Sequence, residues 1–251
     1  MGNGDPTRVL CSPVVELRQY TLHPGQRDTL IDLFDREFVE SQEALGARVI
    51  GQFRDLDHPD RFVWLRGFQD MPTRREALQA FYSGPVWKAH SAAANATMID
   101  SDNVLLLRPA RPTSAFLLDP LDRPPPGAEG IPSGLVVATI CSLAPAPTAD
   151  LLDYFEDAVA PALRRTGASV LAWLVTESSA NTFPALPVRE NEQVFVWFAG
   201  FRDHRGYDEH IATLAQSAEW RGAIWESVAR HLNAAPQTLK LAPTARSLLH
   251  G

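Results

Sequence analysis

The nine residues Phe62 to Asp70, FVWLRGFQD, return as FVWFAGFRD at Phe195 to Asp203. Trp64 and Trp197 lie 133 positions apart, and so do Trp87 and Trp220. Upstream the spacing is smaller: Pro24 and Pro145, like Gly46 and Gly167, are 121 positions apart. The difference of 12 residues places an insertion in the second copy, and the 178–192 connection is the stretch long enough to hold it. Self-similarity at fixed spacing marks a duplicated structural unit, so the chain reads as two copies of one module.

Within each copy the hydrophobic pattern sets the same order of elements. Val14 to Leu22, VVELRQYTL, alternates as a strand does. After the Pro24-Gly25 turn, Leu30, Ile31, Phe34, Phe38 and Leu45 form a helical stripe that Gly46 stops. Strands follow at Ala47–Phe53 and Phe62–Phe68, then a shorter helix at about 74–82, a segment carrying Trp87 and His90, and a strand at Val104–Arg108. The second copy repeats this with strands at Leu135–Leu143, Ser169–Thr176, Gln193–Phe201 and Thr238–Leu241. Its long helix runs through Leu152, Phe155, Val159 and Leu163, and a helical region covers 207–231. Each copy is thus β-α-β-β-α-β, the ferredoxin-like arrangement, and the fold class is α+β. The expected boundaries are 13–109 for the first module and 133–245 for the second. Between them, 110–132 is a connector too rich in proline for a central strand or a helix. One such module leaves a sheet face bare, and large bare apolar faces do not persist in water. Two modules packed sheet to sheet in one chain close an α/β barrel with the helices outside.

ELRQYTLHPG (Glu16–Gly25), an amphipathic helix and the later FVWLRGFQD together resemble the NIPSNAP domain of the dimeric α/β-barrel superfamily. The likeness extends over two tandem copies. The second has drifted, with VATICSLAP where the first has ELRQYTLHP. The resemblance implies paired ferredoxin-like modules whose barrel interior often serves as a pocket. Relatives in that superfamily include cofactor-free oxygenases, isomerases and haem enzymes, so fold alone selects no reaction.

Alternation predicts which side chains line that interior. With Val63 and Leu65 against the helices, Trp64, Arg66 and Phe68 point inward, joined by Glu16, Arg18 and Tyr20. Through the repeat the second copy contributes Val137, Thr139, Cys141, Trp197, Ala199 and Phe201. Glu16, Arg18, Tyr20 and Arg66 are therefore candidate catalytic residues: two guanidiniums to hold an anionic or enolate oxygen, and a carboxyl or phenol to move a proton. They serve equally as a structural ion-pair network, since buried charges need partners whatever the function. His90, three residues after Trp87 on one helical face, is the histidine best placed as a base or axial ligand; as a structural residue it is a surface histidine. Trp64, Phe68, Trp87, Cys141, Trp197 and Phe201 are the candidate substrate-binding residues; as structural residues they are core. The 178–192 insertion, with Phe183-Pro184 and Leu186-Pro187, is expected to cap one barrel end as a lid.

Other classes find little support. The net charge of −7 and the lack of a basic patch argue against nucleic acid. No apolar run reaches a membrane span and no secretory pattern opens the chain, so a cytoplasmic location is expected. Two cysteines make neither a disulfide framework nor a zinc site, and no Gly-rich nucleotide loop or nucleophile elbow is present. The expected activity is cofactor-independent acid–base chemistry (isomerisation, cyclisation or oxidation) on a hydrophobic molecule with a polar or anionic end, of the natural-product type used in biosynthesis. No cofactor is predicted. A non-catalytic binder or scaffold, and a haem or flavin protein, are the alternatives, and the outer helices also allow a homodimer.

Overall fold

The structure is a computed structural model that describes residues 9–118, 123–130, 132–143 and 148–251. Parts of the connector and of the N-terminal segment thus lie outside the described residues. Strand β1 (Val9–Leu10) precedes β2 (Val14–Leu22), which leads into α1 (Arg27–Leu33), a π-helical turn (Phe34–Phe38) and α2 (Val39–Glu43). Then come β3 (Arg48–Asp55), β4 (Arg61–Phe68), α3 (Met71–Ser83), α4 (Pro85–Asn95), β5 (Met98–Pro109) and the short β6 (Leu117–Leu118). The second half runs β7 (Leu135–Leu143), α5 (Ala149–Tyr154), a π turn (Phe155–Val159), α6 (Ala160–Arg165), β8 (Ser169–Thr176) and β9 (Gln193–Phe201). It ends with α7 (His204–Gln216), a π turn (Trp220–Ile224), α8 (Trp225–Ala229) and β10 (Gln237–Pro243).

Repeat spacing holds in three dimensions. The first π turns of the two halves are 121 residues apart, and α3 and α7, capped by Asp70 and Asp203, are 133 apart. The step between the two offsets falls in the loop joining β8 to β9, where the sequence placed it.

Eight antiparallel strands close a barrel in the order β10-β3-β4-β2-β5-β8-β9-β7. Each half contributes four neighbouring strands, and β3–β10 and β5–β8 seal the two seams. One chain therefore completes the barrel.

An eight-stranded barrel has a lumen only wide enough for side chains to fill it. Here one buried apolar cluster takes residues from all eight strands and none from the helices. It includes Val15, Leu17, Val63, Leu65, Val136, Ala138, Val196 and Phe198. This reverses the expected facing. Val63 and Leu65 occupy the lumen, whereas Glu16, Arg18, Tyr20, Trp64, Arg66 and Phe68 lie on the outer face beneath the helices. The physical reason is volume and satisfaction together: the lumen offers no partner for a guanidinium, and the helices do. The expectation that the barrel interior is the pocket fails on the same ground.

Both connecting segments help to plug the lumen. Phe116 and Leu118 join the cluster from the connector, and Leu248 and Leu249 join it from the C-terminal tail. The tail is pinned by Thr244 N donating to Gln52 O at 2.9 Å and Leu249 N donating to Ile50 O at 3.1 Å. No described helix is long and apolar enough to cross a membrane.

Because Leu65 is a filled lumen position, Leu65→Ala leaves a void in a closed space and is expected to cost about 2–5 kcal/mol. Denaturant unfolding measures this; a loss below about 1 kcal/mol would mean that the lumen is not packed as described.

Candidate functional site

Two sites of opposite character occupy equivalent places, each between the outer face of the barrel and the helices of one half. In the first half, β2 and β4 pair so that Glu16 stands opposite Arg66. Glu16 Oε2 accepts from Arg18 Nη1 at 2.9 Å, Arg66 Nε at 3.0 Å and Arg66 Nη2 at 2.6 Å. Its Oε1 accepts from Arg74 Nε of α3 at 2.7 Å. Arg66 Nη1 donates to Gln42 Oε1 at 2.6 Å, and Arg18 Nε donates to the Tyr20 hydroxyl at 3.0 Å. The guanidiniums of Arg18 and Arg66 lie 5.6 and 4.9 Å from the Trp64 ring.

All four charged side chains are at most 1% exposed, so three cations surround one anion in a dry setting. Burial opposes ionisation of Glu16, but Arg66, Arg18 and Arg74 outweigh it and hold the carboxyl far below the usual range. Burial also works against the Arg18 charge, and Tyr20 and Glu16 overcome it; for Arg74 burial wins and its pKa falls. The 178–192 loop finishes the enclosure. Arg74 Nη1 donates to Asn181 Oδ1 at 3.0 Å and Thr182 Oγ1 at 3.3 Å, and Phe183 stacks on Tyr82 at 5.9 Å. The insertion of the second copy thus closes over the first half. The nearby void among Tyr20, Gln42, Trp64 and Tyr82 is about 30 Å³, room for one water.

In the second half the same place is hollow. A cavity of about 550 Å³ lies between β7, β9, the end of α6, α7 and the π turn before α8. Its walls follow from the repeat. Glu16, Arg18 and Gln42 become Val137, Thr139 and Leu163, while Arg66, Arg74 and Tyr82 become Ala199, Tyr207 and Ala215. All six replacements line the cavity. Shortening or neutralising packed side chains on a sheet that keeps its register leaves space there. Trp197, Phe201, Trp220 and Trp225 supply aromatic walls, and Trp220 and Trp225 stack at 6.1 Å. The exposed Ile211 and Arg221 stand at its rim.

Residues 15–113 match the family model for NIPSNAP. That stretch is similar to a NIPSNAP domain, and the first half is called the NIPSNAP half on that likeness. Solved structures extend the likeness to the whole chain. One is a Lactobacillus acidophilus protein provisionally named a monooxygenase (TM-score 0.53, 13% identity, 93% of this chain and 97% of that one). Another, from Fusobacterium nucleatum and named in the same way, has a TM-score of 0.54 at 11% identity, covering 94% of each chain. A third is an anthrone oxidase-like protein, with a TM-score of 0.54 at 15% identity and 95% of each chain covered. At these identities the likeness is one of fold. No curated protein matches the sequence.

Of the residues singled out in the sequence, Glu16, Arg18, Tyr20, Trp64 and Arg66 meet in the NIPSNAP half, with Phe68 beside them 5.4 Å from the Arg66 guanidinium. Trp197 and Phe201 line the other half's cavity, away from them. Cys141 is buried against the second half's helices, and burial pushes its thiol up to about 12, so it stays protonated. Trp87 packs between Phe81 and Phe38 at 5.8 and 5.6 Å. His90 is half-buried on α4, with Nε2 3.4 Å from Glu37. Among the described residues no group of three or more His, Cys, Asp or Glu is arranged to hold a metal.

Two residues escaped the sequence reading. Arg74 was legible as part of a buried stripe with Ala77, Leu78 and Phe81. His210 is buried and lines the cavity. The repeat marks it, since its counterpart is Ala77.

Glu16→Gln leaves three buried guanidiniums without an anion, and a loss of about 3–5 kcal/mol is expected in denaturant unfolding. The sign of the pH dependence follows from the lowered carboxyl. Above its ordinary value of 4.5 its ionised form stabilises the fold, and that stability drains away as pH falls below this value. The wild-type unfolding midpoint should therefore drop between pH 5 and pH 3, and the Gln variant should show a shallower drop.

Proposed function

We propose that the chain is a small-molecule enzyme whose reaction chamber is the cavity of the second half. The observation that carries this reading is the contrast between equivalent places: about 30 Å³ in the NIPSNAP half and about 550 Å³ in the other. The larger volume lies within the range of small-molecule sites, roughly 300–1,000 Å³, and its walls are apolar and aromatic with few polar groups, as such sites are. The chemistry that these walls favour is cofactor-independent acid–base catalysis (isomerisation, cyclisation or oxidation) on a hydrophobic substrate with one polar end. The fold shared with proteins provisionally named monooxygenases and with an anthrone oxidase-like protein supports natural-product-type substrates by analogy.

The two halves are read as tandem ferredoxin-like modules, 13–109 and 133–245, that divided their labour after duplication. The Glu16–Arg18–Arg66–Arg74 cluster holds the first module together, and the void beside Tyr20, Gln42 and Trp64 has room for one water. His90, on α4 with Nε2 3.4 Å from Glu37, does not line the second half's cavity.

Ala199→Trp fills the cavity from its floor without touching the lumen. The neutral fluorophore N-phenyl-1-naphthylamine should bind the wild type and bind this variant at least tenfold more weakly, with the thermal midpoint shifted by less than about 4 °C. Equal affinity for both proteins would refute the cavity as the site. Binding of substrates without turnover would leave a carrier in place of an enzyme.

A further inference from the structure

The geometry points to His210 as the group that takes a proton from the molecule bound in the second half's cavity, with Thr166 as the residue that sets its tautomer. This assignment rests on the cavity being a binding site and adds the polar group that orients what enters it.

His210 stands on α7, buried, with its ring 5.0 Å from Phe201 and 6.5 Å from Tyr207. Its Nδ1 is 2.7 Å from Thr166 Oγ1 and 3.3 Å from the Thr166 carbonyl oxygen. The tautomer follows from what Thr166 can offer. Its carbonyl only accepts, and its hydroxyl is already a donor to Leu163 O at 2.9 Å, or to Ala162 O at 3.2 Å. Both partners therefore ask Nδ1 for a proton, so Nδ1 carries the hydrogen and Nε2 keeps the lone pair. Nε2 has no protein partner among the described residues, and the ring lines the cavity.

The surroundings keep this lone pair available. No carboxylate lines the cavity, and its one cationic side chain, Arg221, is exposed at the rim. Burial lowers the imidazole pKa, partly offset by the Thr166 bond, so the ring enters the reaction neutral. A neutral imidazole held in one orientation against an apolar pocket is the arrangement that general-base catalysis needs. The step is a proton transfer alone. An O–H or acidified C–H of the bound molecule gives its proton to Nε2, the electron pair stays on that oxygen or carbon, and the imidazolium donates Nδ1–H to Thr166. Return of the proton to another atom completes an isomerisation or cyclisation with no oxidant. The NIPSNAP half has no such pair, since Ala77 and Leu45 stand at the corresponding positions. The π turn at Trp220–Ile224, which the regular α4 lacks, brings Trp220 and Arg221 to the same cavity. The ligand class is therefore a flat apolar body carrying one hydrogen-bond donor.

Calorimetry with 2-naphthol and 2-methoxynaphthalene tests this, because the two differ in the donor and little else. The wild type should prefer 2-naphthol by about tenfold. His210→Phe, which keeps an aromatic ring against Phe201, should abolish the preference while the methoxy affinity stays within about twofold. Thr166→Val should reduce the preference without removing it. An equal affinity for both probes in the wild type, or a preference that survives His210→Phe, overturns the role of His210 and leaves the cavity reading standing. Failure of both probes to bind overturns both. Nitrogen-15 NMR of the ligand-free protein at pH 7 gives a readout independent of any probe: the Nδ1–H tautomer of His210 is expected, and Nε2–H would contradict the proposal.

Discussion

The constraint on which the structure depends is the width of an eight-stranded barrel. Strands that alternate side chains must send one set into a space that apolar chains fill completely. The charged cluster is thereby displaced to the outer face, where the covering helices and the 178–192 loop bury it. That sorting explains why Glu16, Arg18 and Arg66 share a face with Trp64, and why their remaining partners, Gln42 and Arg74, come from helices. It also explains why each half has its own site. A lumen is common to both halves, but a sheet–helix cleft belongs to one.

With two clefts and one barrel, the two halves can differ in what they hold. In the NIPSNAP half the cleft is closed by ion pairs that would be costly if any partner were missing. The enclosure is shared: Asn181 and Thr182 reach Arg74 from the loop between β8 and β9, so the second half completes the first. In the second half the same backbone carries Val137, Thr139, Ala199 and Tyr207, and the cleft is open. In the first half the Tyr82 ring, 4.8 Å from Trp87, fills space that Ala215 leaves open in its counterpart.

The repeat was legible from two tryptophan spacings, and with it the strand order, the inserted loop and the closure of the barrel by one chain. Strands such as Leu135–Leu143 and Ser169–Thr176 stand where alternation put them. Facing was not legible from alternation alone. A period of two says that Trp64 and Val63 look opposite ways, and it does not say which way is in. Volume decides it, and places Val63 and Leu65 in the lumen with the charged set outside. Comparing the copies position by position held the missing information. Six replacements of large or charged residues by smaller or apolar ones foretell a hollow, and Ala77 against His210 foretells its polar group. His210 stayed hidden because Thr166 is distant in sequence and meets it only when α6 and α7 pack.

The central claim is that only the second cleft receives a guest. A crystal soaked with 6-bromo-2-naphthol and measured at the bromine absorption edge tests it directly. The account predicts one anomalous peak per chain between Ala199, Leu214 and Trp220, with none in the lumen and none beside Trp64. A peak within the lumen, or against the Glu16–Arg66 pair, would contradict it.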